Sequence, residues 1–226
     1  MPSDESAVKP GRPTDRQAGR TRRRAERRAE MVRAAIEAVR THGPGASVAE
    51  IAAAAGITKP VLYRHFADRA DLQQAVGREA AAMLMARMAP ELDPGRPPAQ
   101  MVRGVIDAFL AGIEDEPQLW RFVVHHPVER TTGAEIVDDA REEIARLLAR
   151  IIGERLRAAG LDSGGAEAWA FGLVGMVQSA GDWWLERRTM PREAVTDYLT
   201  TLIWSGISGV LATADAPGAL LEADRG

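Results

Sequence analysis

The 226-residue chain contains no cysteine, so disulfides, thiol catalysis and cysteine-ligated metal sites are all excluded. Lysine is almost missing too: Lys9 and Lys59 are the only two, and arginine takes the other cationic positions. That bias fits a GC-rich coding sequence and gives arginine abundance little functional weight by itself. No apolar run approaches the ~20 residues a membrane span requires, and the N-terminus is polar and charged with no signal core. A cytoplasmic protein is the expectation. Catalytic signatures are also lacking: there is no GxSxG, no HExxH, no phosphate loop and no GxGxxG after a strand. The carboxylate pairs Asp138-Asp139 and Glu142-Glu143 fall on what reads as a solvated helix face. An all-α enzyme stays only as a minor alternative, and no cofactor or metal is expected.

What is present is ordinary in bulk and uneven in detail. Hydrophobic residues make up 46% and charged residues 27%, a globular profile with enough length for one small and one medium domain. The net charge of −3 conceals an asymmetry, because residues 1–69 carry +6 and residues 70–226 carry −9. A basic front end on an acidic body suits a nucleic-acid-reading head.

The most informative stretch is Ser47–Phe66, SVAEIAAAAGITKPVLYRHF. Ser47 followed three residues later by Glu50 is a capping box, and Gly56 suits a left-handed helix stop. Thr58 can cap a second helix, with Pro60 tolerated in its first turn. Helix, short turn, helix is the helix-turn-helix unit, whose second helix lies in the DNA major groove. A preceding helix over about 21–41 carries the stripe Met31, Val32, Ala35, Ile36 and Val39. Ile51, Ala54, Ile57, Leu62 and Phe66 are expected to complete a small core. Residues 1–20, rich in Pro, Gly and charge, read as a disordered basic arm. Arg20, Arg22, Arg23 and Arg24 are its candidate DNA contacts, as in arms that reach a minor groove or track phosphates.

In its ordered pieces this stretch resembles the TetR family of bacterial transcriptional regulators. The carriers are the amphipathic first helix ending in glycine, then SVAEIAAAAGIT, then LYRHF, then Arg69 and Leu72. The match covers the N-terminal third; the remainder agrees in being helical and of suitable length. The resemblance implies an all-α fold: a three-helix head and a C-terminal helical ligand-binding and dimerisation domain. The expected divisions are 1–20, 21–67 for the head, 68–214 for the body and 215–226 as a flexible tail. By family position Tyr63, His65 and Arg69 bind phosphates, and their phenol, imidazole and guanidinium can all donate to phosphate oxygens. Thr58 adds a hydroxyl at a helix start, and Ser47 either does the same or serves only as a cap. Lys59, Pro60, Val61 and Arg64 are the candidate base readers. Pro60-Val61 replaces the small residues frequent in the family, which leaves the operator sequence open.

Beyond the head, a helix starting near Asp68 runs towards Met88 with Leu72, Val76, Met83 and Leu84 inward, and residues 90–98 form a breaker cluster. Helices follow over about 99–114, after Pro117, and over about 134–159. The last holds a stripe of Ile136, Ala140, Ile144, Leu147, Ile151 and Leu156, with Glu142–Arg146 and Arg150–Glu154 able to pair on its wet face. Residues 168–181 and 198–214 carry no charge, and a helix apolar all round must be buried all round. A homodimer built on these two helices solves that, with Gly172, Gly175, Trp204 and Ile207 as interface candidates. An all-intramolecular core is the alternative.

The family resemblance further implies a small-molecule inducer among the middle helices, binding of which changes head spacing on a palindromic double-stranded operator. Candidate pocket walls are Phe109, Trp120, Phe122, His126, Met176 and Trp183, although such residues at helical spacing also fit plain core. Adjacent His125 and His126 point about 100° apart on a helix and cannot chelate one ion together. No charge stands out within an apolar face, so a hydrophobic inducer is expected, of fatty acyl type before a planar drug-like one. Repression is the family's commoner mode. A dimeric DNA-binding regulator without a ligand is the main alternative.

Overall fold

The computed structural model describes the backbone of residues 15–93, 95–124 and 133–213, and the side chains of these except 15–18, 133–140 and 211–213. The readings made for 1–14, for His125 and His126, for Ile136 and Ala140, for Asp138-Asp139 and for the tail at 215–226 lie outside the described residues. Every regular element described is helical: α1 (Asp15–His42), α2 (Val48–Ala54), α3 (Lys59–Leu62), α4 (Arg69–Met88), α5 (Pro98–Asp115), α6 (Pro117–Val124), α7 (Gly133–Ala158), α8 (Ala166–Arg187) and α9 (Arg192–Thr213). A single 3-10 turn, Ala89–Glu91, follows α4.

The first difference from expectation is at the N-terminus. Residues 15–20 are helical, so Arg16 and Arg20, expected in a disordered arm, extend α1 instead. The reason is local: Arg22–Glu26 (2.9 Å) and Arg27–Glu30 (2.6 Å) pair along the exposed face, and arginine, glutamine and alanine are good helix formers. Composition alone had placed the boundary too late.

The head core is filled. Met31, Val32, Ala35, Ile36 and Val39 of α1 pack with Ile51 of α2, with Leu62 and Phe66, and with Leu72, Ala75 and Val76 of α4. Ala52 rather than Ala54 is the buried alanine of α2, because the helix turns Ala54 to solvent. Gly56 adopts φ +64 and stops α2, a conformation that costs a side-chain-bearing residue strain. α4 begins where Asp68 accepts a hydrogen bond from Asp71 N (2.8 Å).

The body is built differently. α5 packs against α9 and α7 runs along α8, with α4 leaning on both α5 and α7. Its core joins Met88, Ile106, Phe109, Leu110 and Ile113 to Trp184, Leu185, Val195, Leu199 and Ile203. Arg192 donates to Asp107 and Glu114 at 3.0 Å each, clamping α9 to α5. Close helix approach occurs at Gly181, where an added Cβ would meet Phe109 at 2.8 Å. Met83 is exposed instead of inward. The helices α8 and α9 run longer than their uncharged segments, with exposed Arg187 at the end of one and Arg192, paired with Asp107 and Glu114, at the start of the other.

Candidate nucleic-acid interface and internal cavity

The reading segment starts from its caps. Ser47 accepts from Glu50 N (3.3 Å) while Glu50 accepts from Ser47 N (2.7 Å), the complete capping box. Those bonds, led by the one from the Ser47 backbone, hold the Glu50 carboxyl below the usual range. Thr58 is the N-cap of α3 but its side chain makes no capping bond, so its hydroxyl remains available at the helix start. α3 proper is one turn, and i→i+3 and i→i+4 bonds carry the winding on to Phe66.

That winding sorts the segment into two faces. Leu62 and Phe66 are buried, whereas Thr58, Lys59, Pro60, Tyr63 and Arg64 are exposed, Val61 and Arg69 are half-buried, and Ser47 is exposed on the neighbouring α2 start. Lys59, Tyr63 and Arg64 therefore share the open side of one short element. Arg20, Arg22, Arg23 and Arg24 are exposed on the leading turns of α1.

His65 sits between these groups. Burial, and then Arg24, Arg27, Arg64 and Arg28, push its imidazole below the ordinary histidine range. Its Nδ1 is buried and has no hydrogen-bond partner among the described residues. The neutral ring can donate one N–H, and a phosphate nearby would favour the charged form.

Arg28 fixes the arrangement and was not singled out from sequence. It donates to His65 O and to Asp71, the latter at 3.1 Å through Nη1, and its guanidinium lies 4.1 Å from the Phe66 ring centroid. Asp71 also accepts from Ala67 N (3.0 Å). The Arg28 hydrogen bond is the main cause holding the Asp71 carboxyl below its ordinary range. A signal did exist: Arg28 lies three and four residues before Met31 and Val32, on the inner face of α1.

Below the head the body holds an apolar cavity of about 1130 Å³ that opens to solvent. Its wall comes from α4 (Leu84, Met88), α5 (Val105, Phe109), α6 (Trp120), α7 (Ile144, Leu148, Ile151) and α8 (Leu173, Met176). Phe109, Trp120 and Met176 line it, with Phe109 and Trp120 edge to face at 5.6 Å. Trp120 donates to Asp182 (2.7 Å), which holds the ring upright.

Two expected wall residues are elsewhere. Phe122 is buried in the head core beside Leu119, because α6 turns that face away from the body. Trp183 points outward, 42% exposed, while its neighbour Trp184 takes the core. The interface candidates also divide. Gly172 is open to solvent, with nothing within 4 Å of an added Cβ, yet it borders the cavity mouth. Trp204 and Ile207 line the cavity within the single chain, and Gly175 lies against Arg141 of α7. One reading fails outright: Arg141 and Arg155 both line the cavity, so charge does occur within the apolar face of α7.

Two elements belong to both regions. α4 puts Leu72 and Val76 in the head core and Leu84 and Met88 on the cavity. α6 puts Leu119 and Phe122 in the head core and Trp120 on the cavity. Arg40 of α1 donates through Nε to Glu116 (2.9 Å), just before α6, closing the joint from the head side.

A basic helix-turn-helix head on a helical body defines a DNA-binding transcriptional regulator. The family model for bacterial regulatory proteins of the tetR family matches residues 31–76, and that for the tetracyclin repressor-like C-terminal domain matches residues 87–219. An uncharacterized HTH-type transcriptional regulator of Mycobacterium tuberculosis is 36% identical over 198 residues, covering 85% of this chain and 84% of the relative. The HTH-type transcriptional activator FasR of Mycolicibacterium smegmatis is 29% identical over 193 residues, 84% of this chain and 87% of its own. Among solved structures, the fatty acid degradation regulator FadR of Bacillus halodurans superposes with a TM-score of 0.63 at 14% identity, over 78% of this chain and 94% of that one. The chain belongs to the TetR family and is a DNA-binding transcriptional regulator, not an enzyme. No helix among the described residues is long and apolar enough to cross a membrane.

Proposed function

We propose that this regulator is a homodimeric repressor that leaves a palindromic operator when a long hydrophobic ligand fills the body cavity. The observation that carries the reading is the sharing of α4 and α6 between a filled, DNA-reading head and a hollow, apolar body. Any ligand that repacks Trp120 or Leu84 acts on helices that also hold Leu119, Phe122, Leu72 and Val76 of the head. Coupling of this kind is worth typically ~1–3 kcal/mol between two sites. Helix α6 joins α4 as a transmitting element.

The dimer is supported by the outer face of the last two helices. Tyr198 (69% exposed), Leu202 (61%) and Gly206 recur at i, i+4 and i+8 on α9, and Trp183 is exposed on α8. Gly206 and Gly209 have nothing within 4 Å of an added Cβ, although Leu202 and Gly206 also border the cavity. Large exposed apolar residues repeated along one helix face mark interaction surfaces. A two-fold through these helices presents two copies of α3 to a palindrome. Tyr63, His65, Arg69 and Thr58 then serve the phosphates, with Ser47, and Lys59, Pro60, Val61 and Arg64 face the bases. The exposed arginines of α1 add backbone attraction, as a helix in place of a flexible arm. A fatty acyl ligand is preferred because the cavity is large and apolar, and the same fold serves a fatty acid degradation regulator. Release as the mode of regulation follows the family's commoner habit; FasR is an activator.

The test is operator selection from a random duplex pool, followed by binding with and without ligand at ~0.15 M salt. A palindrome preferred at least ~1000-fold over shuffled DNA is expected, together with a dimeric mass in solution. Ligand binding that raises Tm and lowers operator affinity supports induction. Equal operator affinity of empty and ligand-bound protein would leave a dimeric regulator without an inducer.

A further inference from the structure

We propose that Arg141 anchors the ligand of the body cavity and selects an amphiphile with an anionic head and a long apolar chain. The inference rests on the reading of the cavity as a ligand site and names the class of ligand it takes.

Position is the first argument. Arg141, Ile144, Leu148 and Ile151 recur at i, i+3, i+7 and i+10 on α7, and all four line the cavity. A rise of 1.5 Å per residue sets Arg141 about 15 Å from Ile151 along the helix. The cavity-lining side of α7 between them is apolar, with half-buried Arg141 at one end. Of the other lining arginines, Arg155 is exposed to solvent past the far end and Arg87 is paired with Asp115.

Unmet hydrogen-bonding capacity is the second. The Nε of Arg141 is buried with no acceptor among the described residues. A buried polar group of this kind is costly unless something pairs with it. The protein has carboxylates on the same cavity wall but commits them elsewhere: Asp115 pairs with Arg87 at 2.6 Å, and Glu116 pairs with Arg40. Among the described residues the Arg141 Nε is thus left without an acceptor.

Room for the guanidinium is the third. A Cβ at Gly175 of α8 would stand 3.0 Å from Nη2 of Arg141. Glycine at that point leaves the guanidinium lying against α8, beside the cavity. Guanidinium presents a planar fork of donors that fits a carboxylate or a phosphate two bonds at a time. A neutral head group supplies a poorer acceptor, and a cation is repelled.

The experiment measures binding of four probes with one chain length, below micelle concentration, to the full-length protein: palmitate, hexadecyl phosphate, hexadecanol and hexadecyltrimethylammonium. Hydrogen bonds to a charged group predict anions tighter than hexadecanol by about 10–100-fold, with the ammonium weakest. Whichever anion binds tighter tells a carboxylate head from a phosphate-bearing one. Arg141→Met should bring the tighter anion to the affinity of hexadecanol while hexadecanol itself changes less than about threefold, and Arg141→Lys should keep part of the preference. Gly175→Ala, which crowds the guanidinium without removing it, should weaken the anions alone, and it stands in should Arg141→Met fail to fold. Equal binding of palmitate and hexadecanol by the wild type, or an intact anion preference in Arg141→Met, would overturn the inference. If hexadecanol displaced operator as well as palmitate did, the ligand-site reading would stand and this inference alone would fall. Binding of none of the four would overturn both.

Discussion

The head and the body solve opposite packing problems with the same element. In the head, α1, α2, α3 and the start of α4 close around Leu62, Phe66 and Val76, each at most 1% exposed. In the body, longer helices stand around about 1130 Å³ of space that their own side chains leave unfilled. A reading surface needs donors held at fixed spacing, and a tight core supplies that rigidity. A body that is to take a ligand, as proposed, needs room and more than one way of packing. The charge pattern differs as well: the arginines of the leading turns of α1 are exposed on the head, whereas Arg141 is half-buried on the cavity wall of the body.

The sharpest way to break this contrast is to delete equal volume in each region. Leu62→Ala, at a fully buried site, should cost about 2–5 kcal/mol in urea or thermal unfolding, while Leu148→Ala on the cavity wall should cost less than about 1 kcal/mol. Equal costs would mean that the cavity closes in solution. Next in size is the division within the reading face. Arg64→Ala should change base preference by about 1–3 kcal/mol at one operator position, measured by competition among single-base variants. Tyr63→Phe should weaken all duplexes alike by about 1 kcal/mol.

The Arg28–Asp71 bond gives a smaller effect confined to the head. Asp71→Asn should lower stability by about 1–2 kcal/mol, allowing for solvent at a site roughly 28% exposed. The Asp71 carboxyl is held below its ordinary range, so its contribution is present above about pH 4 and lost as pH falls through the lowered value. A melt at stepped pH on wild type and Asp71→Asn reads the difference.

His65 should give the smallest effect and two opposite slopes. Its folded-state pKa is depressed, so its contribution to stability is present above about pH 6.5 and is lost as pH falls. A bound phosphate raises that pKa, so operator affinity should increase over the same fall, by at most about tenfold per unit of pKa change. His65→Gln should flatten both slopes, as followed by anisotropy and by thermal melts.

Much of the head was legible because its signals are local. The capping box of Ser47 and Glu50, the stop at Gly56, and the inward Leu62 and Phe66 all lie within a few residues of their partners. Where the reading missed, the cause was a partner far along the chain. Arg28 meets Asp71 across 43 positions, and Phe122 leaves the body because Leu119 and Phe122 dock on the head. Ala54 was misplaced against Ala52 by one short helix whose phase two turns cannot reveal. Arg141 did carry a sequence signal, falling three residues before Ile144 and seven before Leu148, but its neighbours Glu142 and Glu143 disguised it as part of a wet face.

By itself, the sequence determined an all-helical chain, a helix-turn-helix at Ser47–Phe66 and a basic front on an acidic body. These depend on hydrogen bonds, caps and periodicities that reach no further than a few residues. Only the tertiary structure decided that α1 begins at Asp15, that α6 belongs to both regions, and that a cavity opens with Arg141 at its end. A cavity is volume left over between helices distant in sequence, and no local pattern records how far apart those helices finally stand.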